Sequence, residues 1–199
     1  IALGGPDTDS ADAIARLGGP GNSFAANTVK VARILPVPSD TLKAQAITWA
    51  KLDVPYSITG SVTVSGINTI AAGTDIVFGK GASLAIGASA GSSIKAIGTA
   101  TDKITFRGDS NAVGYWQGIA LSTKGNEFAH AKISGGGSKA NAFGQQANIV
   151  LDGNSGGADV SIRDCVLENS GGYGVHNGGQ TVTLGQGNVF QGNVSGDTN

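Results

Sequence analysis

The chain has 199 residues, enough for one or two domains with a substantial core. Glycine supplies 33 residues, more than twice its usual share of about 7%, while hydrophobic residues make up 40% and charged residues only 14%. This composition excludes a disordered or low-complexity chain. The formal net charge is −1 without any run of Lys or Arg, and no apolar stretch approaches the roughly 20 residues of a membrane span. We therefore expect neither a nucleic-acid partner nor membrane insertion.

Residues 1–33 are interpreted as the tail of a preceding repeat or as an N-terminal cap. Within them, residues 9–18 combine an N-cap residue, small helix formers and a C-terminal glycine, which is typical of a short helix. Such a helix would cap the open end of a solenoid. Residues 34–55 contain Pro36, Pro38 and Pro55 and are interpreted as a linker or a lateral extended strand.

A recurrence of 166 positions links the two ends of the chain. Five residues of one segment match five residues of the other: Gly19, Gly21, Asn22, Phe24 and Asn27 correspond to Gly185, Gly187, Asn188, Phe190 and Asn193. The match predicts that the chain is a window from a tandem array. Two similar turns that arose by chance are the alternative.

From Tyr56 to the end of the chain, short runs alternate apolar and polar residues and end at glycine or polar turns. The period of two predicts strands with one buried face. The clearest runs are residues 61–64, 75–78, 83–86, 93–96, 103–106, 118–121, 148–151, 159–162 and 181–184.

The spacing of adjacent runs favours a coil over a sandwich. Val160 and Ile162 share one face of a strand, and Arg163-Asp164 then shifts the phase. As a result, Cys165 and Leu167 continue the apolar side after a bend rather than after a crossover. In a parallel β-helix each rung turns such corners, and like residues of successive rungs stack.

Glycine and asparagine are expected at these corners, as in Gly187-Asn188, because they supply positive φ and side-chain-to-backbone hydrogen bonds. The predicted fold is all-β, a parallel β-helix over residues 56–199. At roughly 20 residues a rung, six or seven rungs are expected between Tyr56 and Asn193.

Several segments resemble bacterial secreted right-handed parallel β-helix repeat proteins. The resemblance covers about residues 49–193, although Ala72 and Lys103 stand where the family usually has proline. It implies a right-handed coil, export from the cell, and a non-catalytic surface or matrix role. The matching segments are WAKLDVPY at 49–56, AGTDIVF at 72–78, AIGT at 96–99, KITF at 103–106 and GYWQGI at 114–119.

Because parallel β-helices also include polysaccharide lyases and hydrolases, the acidic residues are catalytic candidates. Asp164, Glu168 and His176 form the one cluster that the sequence brings together, with Asp152, Asp159 and Arg163 nearby. Paired carboxylates on neighbouring rungs would suit glycosidic chemistry. Since acids at bends usually cap backbone amides or stay solvated, we favour a solvated or turn-forming role.

Tyr115 and Trp116 are the candidate binding residues. An exposed pair would form a platform for sugar stacking, whereas a buried Trp116 would fill a widened rung, which is the interpretation we favour. The scattered basic residues are expected to form a solvated face; they are Lys95, Lys103, Arg107, Lys124, Lys132 and Lys139.

Cys165, the single cysteine, cannot form an internal disulfide and is expected to pack in the core. No metal site or cofactor is predicted.

The sequence favours a non-catalytic structural or adhesive module that is secreted or lies on the cell surface. Its expected partners are its own copies, end to end or in tandem, and glycans. A polysaccharide-degrading enzyme is the alternative. An ice-binding solenoid is a lesser one, suggested by Thr181-Val182-Thr183 but not by a regular two-column array of threonines.

Overall fold

The structure is a computed structural model that describes residues 2–3, 17, 22–23, 31–34, 46–87, 90–139, 145–152 and 156–199. In these ranges the chain forms twenty short strands that pair in parallel within three sheets. The chain visits the three sheets in turn and winds as a right-handed parallel β-helix, which confirms the predicted all-β solenoid. No helix in the described ranges is long and apolar enough to cross a bilayer.

The three sheets run along the coil, and each contains strands that follow one another from coil to coil. The first sheet contains β1 (Ala2–Leu3), β2 (Ala32–Ile34), β4 (Tyr56–Ile58), β7 (Asp75–Phe78), β10 (Ile104–Gly108), β13 (Ala131–Ser134), β16 (Val166–Glu168) and β19 (Val189–Gln191). The second contains β5 (Ser61–Val64), β8 (Ser83–Ile86), β11 (Gly118–Leu121), β14 (Ala147–Leu151), β17 (Tyr173–His176) and β20 (Gly196–Thr198). The third contains β3 (Ile47–Trp49), β6 (Ile67–Ile70), β9 (Ser93–Ile97), β12 (Asn126–Ala129), β15 (Asp159–Arg163) and β18 (Thr181–Leu184).

The coils differ widely in length. The register pairs Tyr56 with Ile76, 20 residues later, but pairs Ile133 with Leu167, 34 residues later. The described strands between Tyr56 and Asn193 therefore make five complete coils and begin a sixth, fewer than the six or seven expected. The difference arises because loops between the strands lengthen most coils beyond the assumed 20 residues.

The core is a set of columns in which inward side chains of successive coils stack. On the first sheet, one column contains Tyr56, Ile76, Phe106, Ile133 and Leu167, all fully buried. Removing such an apolar side chain from water stabilises the fold by about 1.5–3 kcal/mol. Because each coil buries its side chains against the coils before and after it, the core is continuous along the axis.

Glycine and asparagine occupy corners of the coil, as at Gly187 and Asn188. The Asn188 Oδ1 atom accepts a hydrogen bond from the N–H of Cys165 at 3.0 Å, and its Nδ2 donates to the carbonyl of Ile162 at 2.8 Å. Gly187 has a φ of 75°, and a Cβ atom there would collide with the carboxylate of Asp164. These contacts join the corner of one coil to the coil before it.

The parallel sheets extend N-terminal to Tyr56. Strand β2 pairs with β4 in the first sheet, and β3 pairs with β6 in the third, so part of the segment interpreted as a linker contributes strands. The helix expected over residues 9–18 lies outside the described residues, apart from Leu17, whose side chain is buried against the core. Most of the recurring segment at residues 19–27 also lies outside them.

Candidate functional site

The three candidate catalytic residues lie at three separate places on the coil. Asp164 forms the corner between β15 and β16, Glu168 ends β16 in the first sheet, and His176 ends β17 in the second. Of their acidic and basic neighbours, Asp159 begins β15 and Arg163 ends it. No hydrogen bond or ion pair described in the structure joins any two of the three candidates. Within the described residues, no group of three or more His, Cys, Asp or Glu side chains is arranged to hold a metal ion.

Glu168 belongs to a hydrogen-bonded network on the outer face of the first sheet. Its Oε1 atom lies 2.7 Å from Nζ of Lys132 and accepts from the Ser134 hydroxyl at 3.2 Å, while Oε2 accepts from Gln191 at 2.6 Å. Burial opposes ionisation of Glu168, but the hydrogen bonds and charge of these partners outweigh it and lower its pKa. The carboxylate is therefore engaged in joining three adjacent strands.

Asp164 forms a tight corner of the coil, directly beside the equivalent corner of the preceding coil. Its φ is 53°, and His130, which forms the corner one coil earlier, has a φ of 46°. The Asp164 carboxylate lies 3.9 Å from Nε2 of His130 and 3.7 Å from Nη1 of Arg163. Aspartate and histidine are among the residues that adopt this left-handed conformation most readily, so both side chains suit a tight bend.

His176 is buried beside Tyr173, with the two ring centroids 5.8 Å apart. Burial lowers the pKa of His176, which favours the neutral imidazole. Its Nδ1 atom has no hydrogen-bond partner among the described residues.

Trp116 is fully buried, and its ring stacks on Phe78 with a centroid separation of 3.9 Å and an interplanar angle of 6°. Its indole N–H donates to the carbonyl of Ser134 at 2.8 Å. Tyr115 is only partly buried, and its hydrogen bond with Asp109 raises the pKa of the phenol. Trp116 thus offers no free ring face to a sugar, whereas Tyr115 remains partly accessible.

Cys165 is buried in the core between the third and first sheets. Its thiol donates to the carbonyl of Arg163 at 3.1 Å, and its sulfur accepts from the N–H of Ala131 at 3.4 Å. Burial raises the pKa of the thiol. These are the surroundings of an unreactive packing residue.

The described part of the chain contains an open groove of about 390 Å³ on the outer face of the third sheet. Lys95, Glu127, Ser161 and Thr183 lie in register along it, one from each of β9, β12, β15 and β18. Sequence reasoning did not find this groove. The outward positions were visible from the alternation, but the coil lengths that bring these four residues side by side were not.

The same outward column bears on the ice-binding alternative. It continues through Thr69 and Thr48 at its other end, so hydroxyl groups flank both sides of Lys95 and Glu127. The two charged residues interrupt the hydroxyl row, so the column does not form the regular threonine array that ordered water would need.

Comparison with known proteins gives no match, whether to a family model, to a curated protein or to a solved structure.

Proposed function

We propose that the chain is a non-catalytic structural and adhesive module of a secreted or cell-surface protein. The observation that carries this proposal is the set of three parallel sheets that share one continuous core along the coil. Such a coil is stiff because each strand is hydrogen-bonded to the coils before and after it. The outward side chains are then held at regular spacing, which suits a rod that presents a surface to partners.

The C-terminal coil supports association between copies. Strands β18, β19 and β20 are each the last strand of their sheet, so one edge of each has no neighbour in the described chain. At this end Leu184 is 45% exposed and Val194 is 70% exposed, although Leu184 stacks in register on the fully buried Ile162. Unpaired parallel edges with exposed apolar side chains favour pairing with a further coil, which can belong to the same polypeptide or to another copy.

Sedimentation velocity over a range of protein concentrations, with electron microscopy of the same samples, tests this proposal. We expect concentration-dependent assembly into end-to-end rods. Val194→Lys should suppress the assembly because it places a charge on the open end.

Ile67→Lys is the matched control. Ile67 is 49% exposed but lies at the start of β6, away from the C-terminal coil, so its replacement should leave assembly unchanged. A chain that stays monomeric at every concentration, or equal assembly by Val194→Lys and the parent chain, would count against end-to-end association.

A further inference from the structure

The groove on the third sheet includes a position without a side chain, Gly125. Gly125 precedes β12, and a Cβ atom built there would meet no heavy atom closer than 3.9 Å, in the side chain of Ser93. Its N–H donates to Oδ1 of Asp159 at 2.6 Å, which holds that carboxylate at the edge of the groove. Apart from Gly125 and Val160, every residue that lines the groove is polar or charged.

The charged groups in and beside the groove are close but do not hydrogen-bond directly to one another. Lys95 Nζ lies 3.8 Å from Oε2 of Glu127, and Arg163 Nη2 lies 3.8 Å from its Oε1. Charge-assisted hydrogen bonds have lengths of about 2.7–2.9 Å. All three side chains are partly exposed, so each keeps hydrogen-bonding capacity for a group that enters between them.

The charges identify the kind of ligand. The lining carries one cation, Lys95, and two anions, Glu127 and Asp159. Arg163 approaches Glu127 from outside the lining. Charges of both signs therefore lie together, and neither a polyanion nor a polycation would meet a surface of uniformly opposite charge. A hydroxyl group both donates and accepts hydrogen bonds, and it can therefore bridge an ammonium and a carboxylate that are too far apart to bond directly.

The row of hydroxyl and charged groups is also long enough for more than one sugar unit. Ser161 and Thr183 extend the row from Lys95 and Glu127 across four strands. With strands about 4.8 Å apart, the row spans about 14 Å. We infer that this groove binds a neutral, hydroxyl-rich carbohydrate chain, an assignment that rests on the adhesive role proposed above and gives it a ligand class.

Isothermal titration with neutral probes tests the inference: cellohexaose, mannohexaose and the hexamer of N-acetylglucosamine. A galacturonic acid hexamer and a glucosamine hexamer serve as anionic and cationic comparisons. We expect at least one neutral probe to bind, and to bind more tightly than either charged hexamer. Glu127→Gln should weaken that binding roughly tenfold or more, because a hydrogen bond to a charged group is lost.

Thr183→Tyr should weaken the binding further because the larger ring fills the groove. Thr48→Tyr is its matched control, since Thr48 is exposed in the same outward column but does not line the groove. Circular dichroism checks that each variant is folded. Failure of all neutral probes to bind, tighter binding of a charged hexamer, or equal binding by Thr183→Tyr would overturn the inference.

Val194→Lys separates this inference from end-to-end association. The variant changes the open end and leaves the groove intact, so it should lose assembly and keep carbohydrate binding. Loss of carbohydrate binding in Val194→Lys would place the ligand on the assembled end and overturn the groove as its site.

Discussion

Asn126 joins three successive coils through its side-chain amide, and its replacement is a direct test of the corner architecture. Its Oδ1 accepts from the N–H of Ile94 in the preceding coil at 3.1 Å. Its Nδ2 donates to the carbonyl of Asp159 in the following coil at 2.9 Å and to that of Thr123 in its own corner at 2.5 Å. Asn126 is 2% exposed, and Ile94 is fully buried.

The hydrogen bonds of Asn126 determine how far Asn126→Ala should lower the free energy of unfolding. The substitution removes two hydrogen bonds to carbonyls, each worth about 1 kcal/mol, and leaves the buried N–H of Ile94 unpaired, which costs a further 1–3 kcal/mol or so. The expected loss is therefore about 3–5 kcal/mol. Since a domain is stable by roughly 5–15 kcal/mol in total, such a loss would shift unfolding strongly.

Equilibrium unfolding in urea, followed by circular dichroism, measures the loss. Asn111→Ala is the control, because Asn111 is exposed in a loop and its replacement should change stability by less than about 0.5 kcal/mol. If Asn126→Ala were as stable as Asn111→Ala, the amide would not be joining the coils, and the corner argument would be refuted.

Three further predictions concern buried side chains. The pKa of His176 is lower in the folded chain than in the unfolded chain. The stability that the neutral His176 contributes is therefore complete above the unfolded pKa of about 6.5 and is lost as the pH falls through the folded pKa. Urea midpoints should thus fall between pH 7 and pH 5 for the parent chain, and fall less for His176→Phe. Trp116→Ala should reduce the free energy of unfolding by about 3–5 kcal/mol. Tyr115→Phe, at a partly exposed position, should reduce it far less. Similar losses for the two variants in urea titrations would contradict the stacking of Trp116 on Phe78. Cys165 should react with a thiol reagent in denaturant but resist it in the native chain, because burial hinders access and raises the thiol pKa; rapid native labelling would show that this part of the core opens.

The groove on the third sheet shows what the alternation of residues in the sequence can predict and what it cannot. The sequence predicts that Lys95 belongs to a solvated basic face, and its strand and outward direction do follow from the alternation of β9. Its partner Glu127 lies 32 positions later, with two complete strands and their loops between them. No periodicity of the sequence predicts that distance, because neighbouring coils differ in length.

Glu168 and Trp116 illustrate the same limit. The sequence predicts a bend near Glu168 and therefore a solvated or turn-forming acid, but the residue is only 7% exposed, and its carboxylate contacts Lys132 and Gln191 of the neighbouring strands. The sequence predicts that Trp116 packs in the core, but it does not predict the partner, Phe78, which lies a full coil earlier. Both environments depend on which coil lies beside which.

The sequence by itself determined the local geometry: short period-two strands, inward and outward faces, and corners made by glycine and asparagine such as Gly187 and Asn188. These features depend on the backbone preferences of a few consecutive residues, which is why they can be recognised without a structure. The tertiary structure alone decided the register of the coils, and with it the groove, the Glu168 network and the three-coil contacts of Asn126. The physical reason is that stacking joins residues 20 to 35 positions apart, through loops whose lengths follow no repeating pattern.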